Sequence, residues 1–159
     1  MERDKIKQWG RTAAWLAANV MAAAAWAHGD VTPQAVDTQD LPKLGADWRS
    51  ENPYTKDEKA VKIGSSAYNQ NCARCHGLEA VSGGIAPDLR RLDNECATLK
   101  DEKKRAACVI DVNQYFVGSV RAGKTRNGAV YMPPFEGILS QEAIWTIKSY
   151  LETRREKPF

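Results

Sequence analysis

Residues 69–80 read NQNCARCHGLEA, which puts Cys72, Cys75 and His76 within five consecutive positions. Three chemistries begin with such a C-x-x-C: a zinc site, a redox disulfide and a covalently attached haem. Structural zinc takes four ligands, commonly as two close pairs. The other cysteines, Cys96 and Cys108, have eleven residues between them, and the other histidine is His28. A zinc site drawn from that set is badly spaced. A thioredoxin-like pair sits at a strand-to-helix junction of an α/β fold. Here the pair follows a helical pattern, and no such sheet is apparent. C-x-x-C-H is also the attachment motif of c-type haem. Two thiols three positions apart reach the two vinyl groups of one porphyrin, and the following imidazole lies under the iron. The motif therefore predicts one covalent haem c on Cys72 and Cys75, with His76 as an iron ligand.

The start of the chain bears on the compartment. Residues 1–11, MERDKIKQWGR, carry four basic and two acidic side chains, and residues 12–27 follow as an uncharged run of 16 ending in Ala25-Trp26-Ala27. A basic region, a short apolar region and a small-x-small site describe a secretory signal peptide. The run is shorter than the roughly 20 residues that span a bilayer, and Asn19 interrupts it. Cleavage is expected after Ala27, leaving His28 at the mature N-terminus of a periplasmic protein. Without residues 1–27 the charge falls from +3 to +1, since 23 − 4 = 19 basic and 20 − 2 = 18 acidic residues remain. A nearly neutral chain is a poor partner for nucleic acid or an anionic membrane surface. No other segment is long and apolar enough to cross a membrane, so the mature protein is expected to be soluble.

About 130 residues bury one modest core. Residues 28–56 contain Pro33, Pro42 and Pro53 without sustained periodicity, and read as an irregular arm pinned by Leu41, Leu44 and Trp48. From about Asp57 to Cys72, the positions Ala60, Ile63, Gly64, Ala67, Tyr68 and Asn71 follow helical spacing. A glycine inside a helix is unfavourable unless another backbone must come close. Residues 77–92 read as a loop, followed by a charged stretch to Cys108. A second helix is predicted over about 106–122, ending at Gly123. Residues 123–139 read as loop, and a last helix, capped by Ser140, carries Ile144, Trp145, Ile147, Tyr150 and Leu151. The class is all-α, with no convincing run of strands.

A haem iron needs a partner opposite His76, or it is left open. Methionine there raises the potential and suits electron transfer. Met1 and Met21 fall in the signal, so the mature chain keeps Met132, in a stretch stiffened by Pro133 and Pro134. A lone methionine can also be core filler. The rival to an electron carrier is a haem enzyme or gas sensor with an open sixth site.

Together, "CARCH", "GIAPDL", "YMPPFEG" and "EAIWTIKSYL" resemble class I cytochrome c over about residues 57–155. The resemblance implies a monohaem domain over 57–159, with the first and last helices crossing and the haem in a shell of helices and loops. Cys72 and Cys75 would carry the thioethers, His76 the proximal ligand and Met132 the distal one. The carbonyl of Pro87 would accept a hydrogen bond from His76. Gly64 and Tyr68 would cross the last helix near Trp145. The arm ("HGDVTPQAVDT", "LGADWRSENPY") and motif region further resemble periplasmic cytochromes c that accept electrons from pyrroloquinoline quinone (PQQ) alcohol dehydrogenases in pseudomonads. That implies such a dehydrogenase as donor, and an oxidase or another cytochrome as acceptor. A methanol dehydrogenase or a respiratory complex is the alternative donor.

Cys96 and Cys108 lie outside the family pattern. In an exported protein they are expected to pair. A continuous helix would part them by about 18 Å, whereas a disulfide needs Cα atoms within about 7 Å. If paired, the charged segment between them must turn back on itself. Arg90 and Arg91 read as surface charges, although haem propionates are conceivable partners. Arg121, Lys124 and Arg126 are candidates for the rim of a docking face, and Trp48 reads as packing.

Overall fold

The structure is a computed structural model in which residues 32–158 are described. The signal-peptide reading of residues 1–27 and the expected mature end at His28 lie outside the described residues.

Helix α1 spans Glu58–Asn71. Asp57 starts it, its carboxylate accepting from the Ala60 amide at 2.9 Å. The helix buries Ala60, Gly64, Ala67, Tyr68 and Asn71, one stripe at helical spacing. That stripe packs against α5, Gln141–Thr153, which Ser140 caps through the Ala143 amide at 3.2 Å. Gly64 sits at the crossing. A Cβ built there would lie 1.9 Å from the backbone oxygen of Thr146. The glycine lets two backbones touch, and Tyr68 then stacks at a tilt on Tyr150, with ring centroids 5.3 Å apart.

The last helix is buried on nearly every side, Trp145 and Ile144 fully. Its polar positions are buried too, because the arm runs along them. Glu142 accepts from the Leu44 amide at 2.9 Å, and Gln141 accepts from the Arg49 amide at 2.8 Å. Ser149 accepts from Asn52 at 3.0 Å and donates to the Tyr54 carbonyl at 3.0 Å. The irregular arm, pinned by buried Leu41 and Leu44, thus closes the core.

After α1, the short helix α2, Ala73–His76, carries the end of the cysteine motif. Two 3₁₀ turns follow, Leu78–Ala80 and Leu89–Arg91. Helix α3, Asn94–Ala97, leads into the charged segment, and α4 runs from Glu102 to Ala122. The long helix therefore begins four residues before the predicted 106. Asp101 accepts from the Lys104 amide at 2.9 Å, so the run of charge is a capped, solvated first turn of helix. The break between α3 and α4 brings Cys96 and Cys108 together. They form a disulfide with Cα atoms 5.6 Å apart. A buried ionic cluster fastens this excursion to α5: Arg155 donates to Asp93 at 2.8 Å, and Lys148 pairs with Glu152 at 2.9 Å and Asp93 at 3.8 Å.

One expectation is corrected. Residues 123–139 are not all loop, because β1, Lys124–Arg126, pairs antiparallel with β2, Ala129–Met132. Asn127 and Gly128 both take positive φ, 51° and 78°, the geometry of a type I′ hairpin turn. The register runs Arg126↔Ala129, Thr125↔Val130, Lys124↔Met132. Tyr131 is left as the extra residue of a bulge. The rest of the described chain is helix and loop, in keeping with the helical class.

Candidate haem-binding site

Cys72, Cys75, His76, Pro87 and Met132 all line one cavity of about 590 Å³. That size falls within the range of cofactor and ligand sites. Its walls are mainly apolar: Leu89 and Leu92 from one loop, Phe116 and Val120 from α4, and Phe135 beyond Met132.

Local structure aims each group. Residues 72–76 continue helically from α1, the His76 amide donating to the Cys72 carbonyl at 3.0 Å. The motif is thus wound into one turn, with both thiols on the cavity. Neither Cys72 nor Cys75 is in a disulfide. Burial, and then neighbouring Cys75, push the Cys72 thiol up to about 12.

His76 Nδ1 lies 2.9 Å from the carbonyl oxygen of Pro87. A carbonyl can only accept, so Nδ1 donates this bond, and Nε2 is the ring nitrogen left for a metal. A metal-ligating imidazole is commonly oriented by such a bond from its other nitrogen. The Pro87 carbonyl is itself fixed. Ser82 Oγ donates to the Ala86 carbonyl at 2.5 Å, and Asp88 caps the next turn through the Arg90 amide at 3.1 Å. The Asp88 carboxyl is lowered to about 2, chiefly by its hydrogen bond from Arg90.

Met132 enters from the end of the hairpin. Gly123 makes room for it: φ there is +68°, and a Cβ would stand 2.4 Å from the Met132 carbonyl oxygen and 2.8 Å from Pro133 and Pro134 atoms. Met132 is partly buried against the core.

Of the cationic candidates, Arg91 and Lys124 also line this cavity, and both have partners. Arg90 pairs with Asp88 at 2.7 Å and Arg91 with Glu156 at 3.1 Å. Lys124 stands 4.6 Å from the Tyr115 ring centroid. Cys96 and Cys108 bind each other, so a four-cysteine zinc site is not formed. The C-x-x-C runs from the end of α1 into α2, not from a strand as in a thioredoxin pair. Sequence reasoning took Asn71 only as a helix position. It is a buried cavity wall whose Oδ1 accepts from the Gln34 amide at 2.7 Å. Its partner lies 37 residues away, and no local pattern marks it.

The residues present fit a haem c: two free thiols, an imidazole held through Nδ1 and a thioether share one apolar cavity. Residues 59–151 match the family model described as "Cytochrome C oxidase, cbb3-type, subunit III", and the chain belongs to this cytochrome c family. A particular relative is similar almost end to end. Cytochrome c550 of Pseudomonas aeruginosa is 51% identical over 142 residues, 87% of this chain and 88% of the relative. The quinohemoprotein alcohol dehydrogenase ADH-IIG of Pseudomonas putida is 31% identical over 100 residues, which are 63% of this chain and 11% of that enzyme. No solved structure matches the chain. The protein is accordingly an electron-transfer cytochrome with covalently attached haem c, and not an enzyme. No described helix is long and apolar enough to cross a membrane.

Proposed function

We propose that the chain is a periplasmic one-electron carrier, exported by cleavage of residues 1–27, that takes electrons from a PQQ-dependent alcohol dehydrogenase and passes them to the respiratory chain. One observation carries the reading: His76, its ring oriented by the Pro87 carbonyl, shares a single apolar cavity with Met132. Cys72 and Cys75 would hold the haem by thioethers, and His76 and Met132 would be its iron ligands. When bound, the haem supplies a one-electron ferric–ferrous couple.

The chain's residues tune that couple. The Pro87 carbonyl orients the imidazole and makes it more basic. A Met132 thioether favours the ferrous state and raises the potential. Leu89, Leu92, Phe116 and Phe135, which line the cavity, would keep water from the iron. If both His76 and Met132 held the iron, no position would be left for substrate or gas, as a carrier rather than a sensor requires. The donor assignment draws on the likeness of the chain to part of a quinohemoprotein alcohol dehydrogenase. A carrier needs only a short-lived encounter, so the interface with its donor is small.

Mixing the oxidised protein with a PQQ ethanol dehydrogenase and ethanol tests this. Rapid growth of the reduced haem bands is expected only with both enzyme and alcohol present. An alcohol yields two electrons and each cytochrome takes one, so two cytochromes are reduced per alcohol oxidised. Much faster reduction by a methanol dehydrogenase or a respiratory complex would replace the donor. Failure of all three, with ready gas binding, would restore the sensor reading.

A further inference from the structure

The Met132 segment is gripped from both sides by the end of α4. On one side Gly123 packs against the Met132 carbonyl. On the other, the Phe135 amide donates to the Val120 carbonyl at 3.1 Å and the Glu136 amide to the Arg121 carbonyl at 3.2 Å. The Arg121 side chain adds a second grip. Its Nε and Nη2 donate to the Glu136 carboxylate at 2.5 and 2.9 Å. Its guanidinium carbon also lies 4.3 Å from the ring centroid of Trp48. Trp48 belongs to the arm, whose backbone is tied to α5 on either side of it, at Leu44 and Arg49. One guanidinium therefore joins the arm, α4 and the Met132 segment.

An isolated exposed ion pair contributes little. This one differs in two ways. The fork on Glu136 fixes the guanidinium plane, and the Trp48 ring covers its face. Glu136 is four residues from Met132, and Pro133 and Pro134 lie between them. Fixed proline φ angles pass a displacement on rather than absorb it.

We infer that Trp48, Arg121 and Glu136 form a clasp through which the N-terminal arm positions Met132. The three are positioning residues for the sixth iron ligand, an inference that rests on the axial role of Met132 proposed above. Opening the clasp lets the segment withdraw, so an external ligand competes more easily with the thioether.

The test is a titration of the oxidised holoprotein with imidazole, which displaces a weak thioether from ferric iron. Trp48→Ala, Glu136→Gln and Arg121→Lys are compared with the parent. Trp48→Ala and Glu136→Gln should each bind imidazole about fivefold to thirtyfold more tightly. Arg121→Lys, which keeps charge but loses the fork, should fall between, and Trp48→Phe should stay near the parent. Because both act through Arg121, the Trp48→Ala/Glu136→Gln double variant should show less than the sum of the two effects. Lys59→Ala breaks a different arm tie, the exposed Lys59–Asp40 pair at 3.3 Å, and should leave the affinity unchanged. Equal imidazole affinity in the parent and all clasp variants would overturn the clasp. So would an equal gain in Lys59→Ala, which would mean general loosening of the arm. The weak methionine-to-iron charge-transfer band of the parent is read first. Its absence would instead overturn the role of Met132, and with it the role given to the clasp. Should Trp48→Ala fail to fold, the more exposed Glu136→Gln and Arg121→Lys carry the same comparison.

Discussion

Gly64→Ala should destabilise the protein, although the change normally strengthens a helix. In a solvated helix interior, alanine is favoured over glycine by about 1 kcal/mol. Here the new Cβ would lie 1.9 Å from the Thr146 oxygen, 2.4 Å from its carbon and 3.1 Å from the Ile147 nitrogen. All three are backbone atoms of α5, so no rotamer change clears them. Ordinary contact begins near 3.4 Å, so the helices must part by about 1.5 Å where they cross. That opens the contact beneath Tyr68, Tyr150 and Trp145, all buried. Overpacking of this kind costs about 1–3 kcal/mol and sometimes more. A rigid obstacle puts this site at the upper end, leaving a net loss of about 2 kcal/mol after the propensity gain. Thermal unfolding of the holoprotein, followed by circular dichroism, should show a midpoint about 6–12 °C lower. Gly118→Ala is the matched control. Gly118 lies in α4 with nothing within 4 Å of its would-be Cβ, so that variant should gain about 0.5–1 kcal/mol. If Gly64→Ala matched the parent or rose like Gly118→Ala, the close crossing of α1 and α5 would be refuted.

Three further outcomes follow from the same geometry. Replacing Cys96 and Cys108 together by serine should lower stability in urea unfolding by up to about 3 kcal/mol, and a non-reduced digest of the parent should show their peptides linked. Acid–acetone extraction should leave the haem on the parent polypeptide, but should release haem from any that a Cys72→Ala/Cys75→Ala double variant takes up. The Asp88 carboxyl is depressed from its usual 3.8 to about 2. The stability it contributes is therefore present above about pH 4 and lost as the pH falls through 2. Unfolding at a series of pH values should show parent and Asp88→Asn differing near neutrality and converging toward pH 2.

The parts legible in the sequence were those with local signals. Helix α1 announced itself by its apolar spacing, and Gly64 by sitting where an open helix would not place it. The Cys72–His76 turn was readable because its two thiols and its imidazole are neighbours in the chain. The hairpin was missed although it carried a signal, the Asn127-Gly128 pair, because Met132 and the two prolines drew the whole segment toward loop. The start of α4 was set late because Lys100 to Arg105 carry no apolar stripe, only the cap at Asp101. The polar face of α5 could not be read at all. Gln141, Glu142 and Ser149 are buried by arm residues 92 to 98 positions away. Arg121 read as a docking charge for the same reason, since Trp48 is remote in sequence.

The axial ligation of the iron tests the account most directly. The near-infrared spectrum of the oxidised holoprotein should contain the weak methionine-to-iron charge-transfer band, and Met132→Ala should abolish it while lowering the potential and admitting carbon monoxide to the reduced iron. A band that survives in Met132→Ala, or a parent that lacks one, would contradict the carrier site described for His76 and Met132.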